Sequence, residues 1–211
     1  MVNAGGKIRG IAAKGCLDFT RKQIDDLTNY VGRYGAKGLV WMRVKENNEV
    51  ETQVGKFFTT EQLNALRDAV HAENGDMMFF IAGPEKTAAT AMGQLRLEIA
   101  RIKGLLDPNR REFVWITEFP MFEYSETEGR YMAMHHPFTS PMPEHLEMML
   151  SGNLKDCKAQ AYDLVLNGVE IGGGSIRIHN PEVQEKVFRL LGLTEEQVQE
   201  KFGFFVDAFK F

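Results

Sequence analysis

No stretch of the sequence approaches the ~20 apolar residues that a bilayer-spanning helix needs. The opening residues Met1 to Lys7 lack the apolar core of a secretory leader. Both absences point away from a membrane protein and towards a cytoplasmic one. Cysteine is scarce. Cys16 and Cys157 lie far apart and fit no metal-ligand spacing, so they read as two reduced thiols. Charge of one sign is not dominant either. The net charge of −4 argues against an extensive nucleic-acid surface. It is uneven, with +3 over residues 1–112 and −7 over the remainder. An excess of +3 is too weak to imply nucleic acid and reads as an ordinary solvated surface. The acidic remainder is compatible with carboxylates that hold a metal or a cationic group.

What is present begins with alternating strands and helices. Lys7 to Ala12 alternates polar and apolar, as a strand does. Thr20 precedes a helix with Gln23 at its third position, a capping box, and Ile24, Leu27, Tyr30 and Val31 recur at helical spacing. Gly38 to Val44 reads as a strand. Thr59 opens a second helix that runs to about Ala72. Met77 to Ala82 is short and wholly apolar, a buried strand. Thr87 to Lys103 is a third helix, and its interior Gly93 marks close packing. This α+β segment shows no phosphate loop, metal spacing or catalytic constellation.

Leu106 to Arg111, with Pro108 inside it, is a domain junction. The expected domains are 1–108 and 109–211. Phe113 to Thr117 then reads as a buried strand, Tyr124 to Arg130 as a hairpin loop, and Tyr131 to Met134 as the returning strand. Short helices are expected over Glu144 to Leu150, Pro181 to Leu191 and Thr194 to Lys201. Phe204 begins a further apolar segment.

Ala161 to Ile178 carries the chemistry. Asn167-Gly168 between apolar-rich runs is a strong hairpin signal. A two-residue turn places Leu166 opposite Val169, Val165 opposite Glu170 and Asp163 opposite Gly172. Asp163 and Glu170 then share one face as diagonal neighbours, roughly 7–8 Å apart. Two such carboxylates suit Mg²⁺ on a polyphosphate, and they equally suit the exposed face of a sheet. Arg177 points away in unbroken register. It joins that face only if Gly172-Gly173-Gly174 contains a bulge that shifts parity by one. An Arg held in a strand suits a bidentate grip on a carboxylate, or a surface ion pair. Adjacent His135 and His136 face opposite ways and make a poor metal pair, leaving one for a site and one for the core. Pro137 holds His136 in extended backbone.

Phe113 to Pro120, Met134 to Pro141, Tyr162 to His179 and the Phe202-Gly203-Phe204 segment, in this order and spacing, resemble the catalytic domain of bacterial-type aspartyl-tRNA synthetases. Residues 1–108, with Leu39-Val40-Trp41 and the Phe79 to Gly83 strand, are similar to the α+β domain (GAD-like) inserted into those enzymes. A related domain occurs in the B subunit of the tRNA-dependent amidotransferase. The resemblance implies part of a class II fold, an antiparallel sheet with flanking helices. It implies activation of L-aspartate by ATP with Mg²⁺ and transfer to tRNA(Asp), in a homodimeric parent enzyme. It implies His135 and Arg177 as aspartate-binding residues, Glu170 as the ATP and metal residue, and Asp163 as its helper on the metal. The family's anticodon-binding barrel, dimer-interface motif, Arg-containing ATP loop and Gly-Leu-Asp-Arg motif have no counterpart in these residues. The isolated chain is therefore expected to be inactive and to expose apolar sheet surface. A non-catalytic tRNA-binding or scaffolding module is the alternative.

Overall fold

The computed structural model describes residues 5–208, and the chain divides into two compact units, Met1–Pro108 and Asn109–Phe211. In the first unit, β1 (Lys7–Ala13), β2 (Val40–Val44), β3 (Val50–Thr52) and β4 (Met77–Gly83) form an antiparallel sheet in the order β1-β4-β2-β3. β4 is central. Met77, Phe79 and Ile81 enter a core shared with Ile24, Leu27 and Val31 of α1 (Arg21–Gly32) and with Leu95 and Ile99 of α3 (Glu85–Ile102). Met78 and Phe80 turn the other way, towards Met42, Val44 and Ala72 and the partly buried Leu63 and Leu66 of α2 (Thr60–Ala69). A strand covered on both faces has no polar side, which is why its sequence is continuously apolar.

Helix starts in this unit are set locally. Thr20 and Thr59 each accept from the backbone N–H three residues on, while Gln23 and Gln62 return a bond to the cap N–H. α2 ends at Ala69, earlier than its pattern suggests, because the chain turns through a positive φ of 53° at His71. The edge strand β3 is too short for its composition to announce it. Gly93 corrects another expectation: among the described residues nothing beyond its own helix backbone lies within 4 Å of a Cβ built there. It marks no close packing.

Among the described residues, Asp76 is the one strongly buried carboxylate of this unit, 3 % exposed. Its oxygens accept from the N–H groups of Gly15 (2.9 Å) and Glu73 (2.8 Å) and pair with Lys14 at 3.0 Å. Burial by itself would raise its pKa, but the two N–H donors and the Lys14 ammonium together hold it below the ordinary carboxylate value.

The second unit has a three-stranded antiparallel sheet in the order β5 (Phe113–Thr117), β8 (Ala161–Leu166), β9 (Val169–Ser175), and a separate hairpin of β6 (Phe122–Ser125) and β7 (Arg130–Ala133). A 3₁₀ turn over Pro143–His145 leads into α4 (Leu146–Leu150). α5 (Pro181–Leu190) begins with Asn180 as cap and a proline in its first turn. α6 (Glu195–Asp207) begins with the Thr194–Gln197 capping box. α6 absorbs Phe204 to Asp207, which the sequence pattern sets apart; residues 209–211 lie outside the described residues. The core gathers Met121, Phe122, Met149, Cys157, Ala161, Ile178, Val187 and Leu191. Both cysteines are free and buried, and burial pushes the Cys157 thiol up to about 11, so it stays protonated and unreactive at neutral pH.

β5 forms where expected but is not buried. Phe113 and Trp115 are each 60 % exposed, Val114 50 % and Ile116 40 %. Among the described residues the strand pairs along one edge only, with β8, and its side chains on both faces reach solvent. Among the described residues no helix is long and apolar enough to cross a membrane.

Candidate functional site

The β8–β9 hairpin is built by its turn. Asn167 and Gly168 both take positive φ, 50° and 84°, as a tight two-residue connection requires. Next to the turn the register is as expected, with Leu166 opposite Val169 and Val165 opposite Glu170. Then it slips. Leu164 faces Gly172, which leaves Ile171 as the extra residue of a bulge. Asp163 consequently faces Gly173, not Gly172. The bulge lies immediately before the glycine run rather than inside it.

That single slip sets the faces. Asp163, Val165 and Glu170 share one face, now joined by Gly173 and Ser175. The chain stays extended beyond Ser175, with Ile176 N–H donating to Gln160 O and Ile178 N–H to Phe138 O, both at 2.9 Å. Alternation therefore brings Arg177 to the same face.

A side chain at Gly173 would displace both carboxylates. A Cβ there would lie 2.5 Å from Asp163 Oδ1 and 3.3 Å from Glu170 Oε1, so both carboxylates reach over the same point of bare backbone. On the other face the Tyr162 hydroxyl lies 2.8 Å from where a Gly174 Cβ would be. Asp163 is half-buried and Glu170 exposed. Among the described residues, neither has an ion-pair partner, and no group of three or more His, Cys, Asp or Glu side chains converges to hold a metal. Two carboxylates alone are a poor resident metal site. They fit Mg²⁺ that arrives with phosphates, since that ion keeps several waters and takes only one or two carboxylates.

Of the two histidines, it is His136 that meets Arg177. His136 Nδ1 accepts the Phe138 N–H at 3.1 Å and lies 3.2 Å from Arg177 Nη1. A nitrogen that accepts from a backbone N–H carries no proton, so the guanidinium donates to it. Burial pushes the His136 imidazole below its ordinary pKa, and the charges of Arg177 and His135 act in the same direction. Thr139 pairs with Arg177 in an antiparallel bridge, and its Oγ1 lies 3.5 Å from Ser175 Oγ. His135 is exposed, and its ring meets Phe119 edge-on at 5.0 Å between centroids.

Thus the fold groups Asp163 with Glu170, and His136 with Arg177, along one strand face, while His135 stands on Phe119. Sequence reasoning assigned no task to His136; its signal was Pro137, which fixes its backbone. Glu118, the acidic residue that ends the Phe113 strand before Phe119-Pro120, has no role assigned from sequence; it takes φ 58° and is ion-paired with Lys158. A cavity of about 540 Å³, lined by Gln184, Phe188, Leu193, Val198 and Val206 among others, involves none of the four candidate residues.

Residues 18–211 match the family described as class II tRNA synthetases (D, K and N). The chain belongs to that family. It is 49 % identical over 211 residues to an aspartate–tRNA(Asp/Asn) ligase of Desulfatibacillum aliphaticivorans, with all of this chain and 35 % of that protein aligned. It is 48 % identical over 210 residues to an aspartate–tRNA ligase of Ruminiclostridium cellulolyticum, again covering 100 % of this chain and 35 % of the relative. An aspartate–tRNA ligase of Staphylococcus carnosus is 46 % identical over 211 residues, covering 100 % of this chain and 36 % of the relative. The chain thus spans about a third of the length of the relatives it matches. Its mixed helices and antiparallel sheets are consistent with the α+β class expected of a class II synthetase region.

Proposed function

We propose that residues 109–211 supply one wall of the aspartate and ATP site of an aspartate–tRNA ligase, and that residues 1–108 are its inserted domain. The observation that carries this is the bulge at Ile171, which brings Arg177 to the face where Asp163 and Glu170 reach over Gly173. On this reading Arg177 grips a carboxylate of L-aspartate with its planar fork, and His135 lies beside the amino acid. Neutral His136 keeps the guanidinium aimed. Glu170, helped by Asp163, holds ATP through Mg²⁺, which offsets phosphate charge when bound. The aspartate carboxylate attacks the α-phosphorus and the bond to pyrophosphate breaks; a terminal ribose hydroxyl of tRNA(Asp) then takes the aspartyl group, and AMP leaves. The side chains contribute orientation and charge complementarity and no nucleophile. The parent acts in the cytoplasm as a homodimer.

Within these 211 residues nothing matches the arginines of the family's ATP loop and Gly-Leu-Asp-Arg motif, so the chain alone binds without turning over. Titration by heteronuclear NMR tests this. L-Aspartate is expected to shift Arg177 and His136 signals, and MgATP those of Asp163, Glu170 and Gly173. Absence of both responses at millimolar ligand would sink the site. Aspartate-dependent pyrophosphate exchange by the purified chain would refute the single-wall reading.

A further inference from the structure

We infer that Gln184 of α5 is a positioning residue for Arg177, acting through the His136–Thr139 turn. Gln184 is 2 % exposed, and its Nε2 donates to the Pro137 carbonyl at 2.8 Å. A carbonyl only accepts, so the amide's orientation is fixed by that bond. Among the described residues its Oε1 has no partner. A buried amide with one end unpaired is less favourable than an apolar side chain of the same size. What the residue contributes is therefore its donor end, and that end is spent on one carbonyl.

That carbonyl sits in the middle of the segment that orients Arg177. His136, on its N-terminal side, carries the Nδ1 that lies 3.2 Å from Arg177 Nη1. Phe138, on the other side, donates its N–H to the same Nδ1 and accepts from Ile178 N–H. Thr139 then pairs with Arg177 directly. One helical turn beyond Gln184, Phe188 meets the Phe138 ring edge-on at 5.8 Å, and Phe202 of α6 does so at 5.3 Å. Residues four apart lie on one helix face, so α5 takes hold of the turn with an amide and a ring. The rings can slide; the hydrogen bond fixes where Pro137 sits, and with it the imidazole and the guanidinium. A bidentate fork is useful only at a fixed angle, so orientation is what this clamp provides. The inference rests on the reading of Arg177 as an aspartate-binding residue only in its functional consequence. The clamp itself stands on the geometry.

The experiment is Gln184→Leu in this chain, with amide hydrogen exchange, the His136 NMR titration and L-aspartate binding as readouts. The clamp requires the Phe138 and Ile178 amides to exchange at least tenfold faster while Leu191 at the end of α5 is unchanged. It also requires the His136 midpoint to move up towards the ordinary histidine value and aspartate to bind at least fivefold more weakly. Gln184→Glu, whose buried carboxyl stays protonated and keeps an O–H donor, should restore all three. Exchange that is unchanged, or that accelerates equally in α5, overturns the inference, as does failure of the glutamate to rescue. If the leucine variant does not fold, Gln184→Met replaces it under the same criteria. If the unsubstituted chain shows no response to L-aspartate, the functional reading fails, and exchange and the His136 titration still decide on the clamp.

Discussion

β4 and β5 have nearly the same kind of sequence and opposite surroundings. Met77 to Ile81 is buried throughout, with Phe79 at 0 % exposure, because α1 and α3 cover one face and α2 the other. Phe113 to Ile116 is exposed throughout and, among the described residues, pairs only with β8. An apolar run records that a strand is meant to be covered. It does not record whether the cover comes from nearby sequence. In the first unit it does, and that unit carries no candidate site. In the second unit it does not, and that sheet carries Asp163 and Glu170, with Arg177 on the strand's extension.

The largest expected effect comes from breaking this contrast at one ring in each strand. Phe79→Ala removes a fully buried side chain and should cost roughly 3–5 kcal/mol. Trp115→Ala should cost less than about 1 kcal/mol, since the indole is mostly solvated and meets Tyr162 edge-on at 5.9 Å. Urea unfolding followed by circular dichroism measures both; similar losses would mean that β5 is covered in solution. Contiguous exposed apolar surface also favours association. The double variant Phe113→Lys, Trp115→Lys should therefore lower hydrophobic-dye binding and self-association in sedimentation, and unchanged values would show that this face is not the sticky one.

The carboxylates repeat the contrast. Asp76 is buried and fully engaged by Gly15, Glu73 and Lys14. Asp163 shares open space with Glu170 and has no cationic partner among the described residues. Asp76→Asn should cost about 1–3 kcal/mol at pH 7, because an amide nitrogen would face N–H donors. Its pH dependence has a definite sign. The folded pKa is depressed, so in the acid range the unfolded chain binds the extra proton. The stabilisation is complete above the ordinary carboxylate value of about 3.9 and is lost as pH falls through the folded value. Wild type and Asp76→Asn should accordingly converge in acid, and a gap that persists at low pH would contradict the account. Asp163→Asn should change stability by no more than about 0.5 kcal/mol while weakening the response to MgATP.

How much of this was legible in the sequence follows the range of the interaction. The helix starts at Thr20, Thr59 and Thr194 were readable because each capping box is complete within four residues. The Asn167-Gly168 turn and the pairs beside it were readable for the same reason. The parity shift needed by Arg177 was also readable, but its place was not: three glycines invite a bulge, and Ile171 supplies it one residue before them. The choice of His136 over His135 as the partner of Arg177 depends on the Thr139–Arg177 bridge and on Gln184, 41 and 48 residues away from His136 respectively for Arg177 and Gln184, and no local pattern encodes that. The exposure of β5 was hidden because a sequence shows what a strand prefers and not what lies over it.

The smallest effect separates two helical glycines that the sequence cannot tell apart. A Cβ on Gly203 of α6 would meet Gln199 Nε2 at 2.6 Å, whereas one on Gly93 of α3 meets nothing within 4 Å. Gly93 is therefore a pure propensity cost in the middle of an 18-residue helix. Alanine there restricts the unfolded chain and fits the folded one, which is worth about 0.4–1 kcal/mol. Gly93→Ala should raise the urea midpoint by that amount, and Gly203→Ala should leave it unchanged or lower it, since Gln199 must swing aside. A loss of stability at Gly93 would mean that something packs against α3 in solution. The helix would then share the condition of β5, and the division between a self-covered unit and an uncovered sheet would no longer hold.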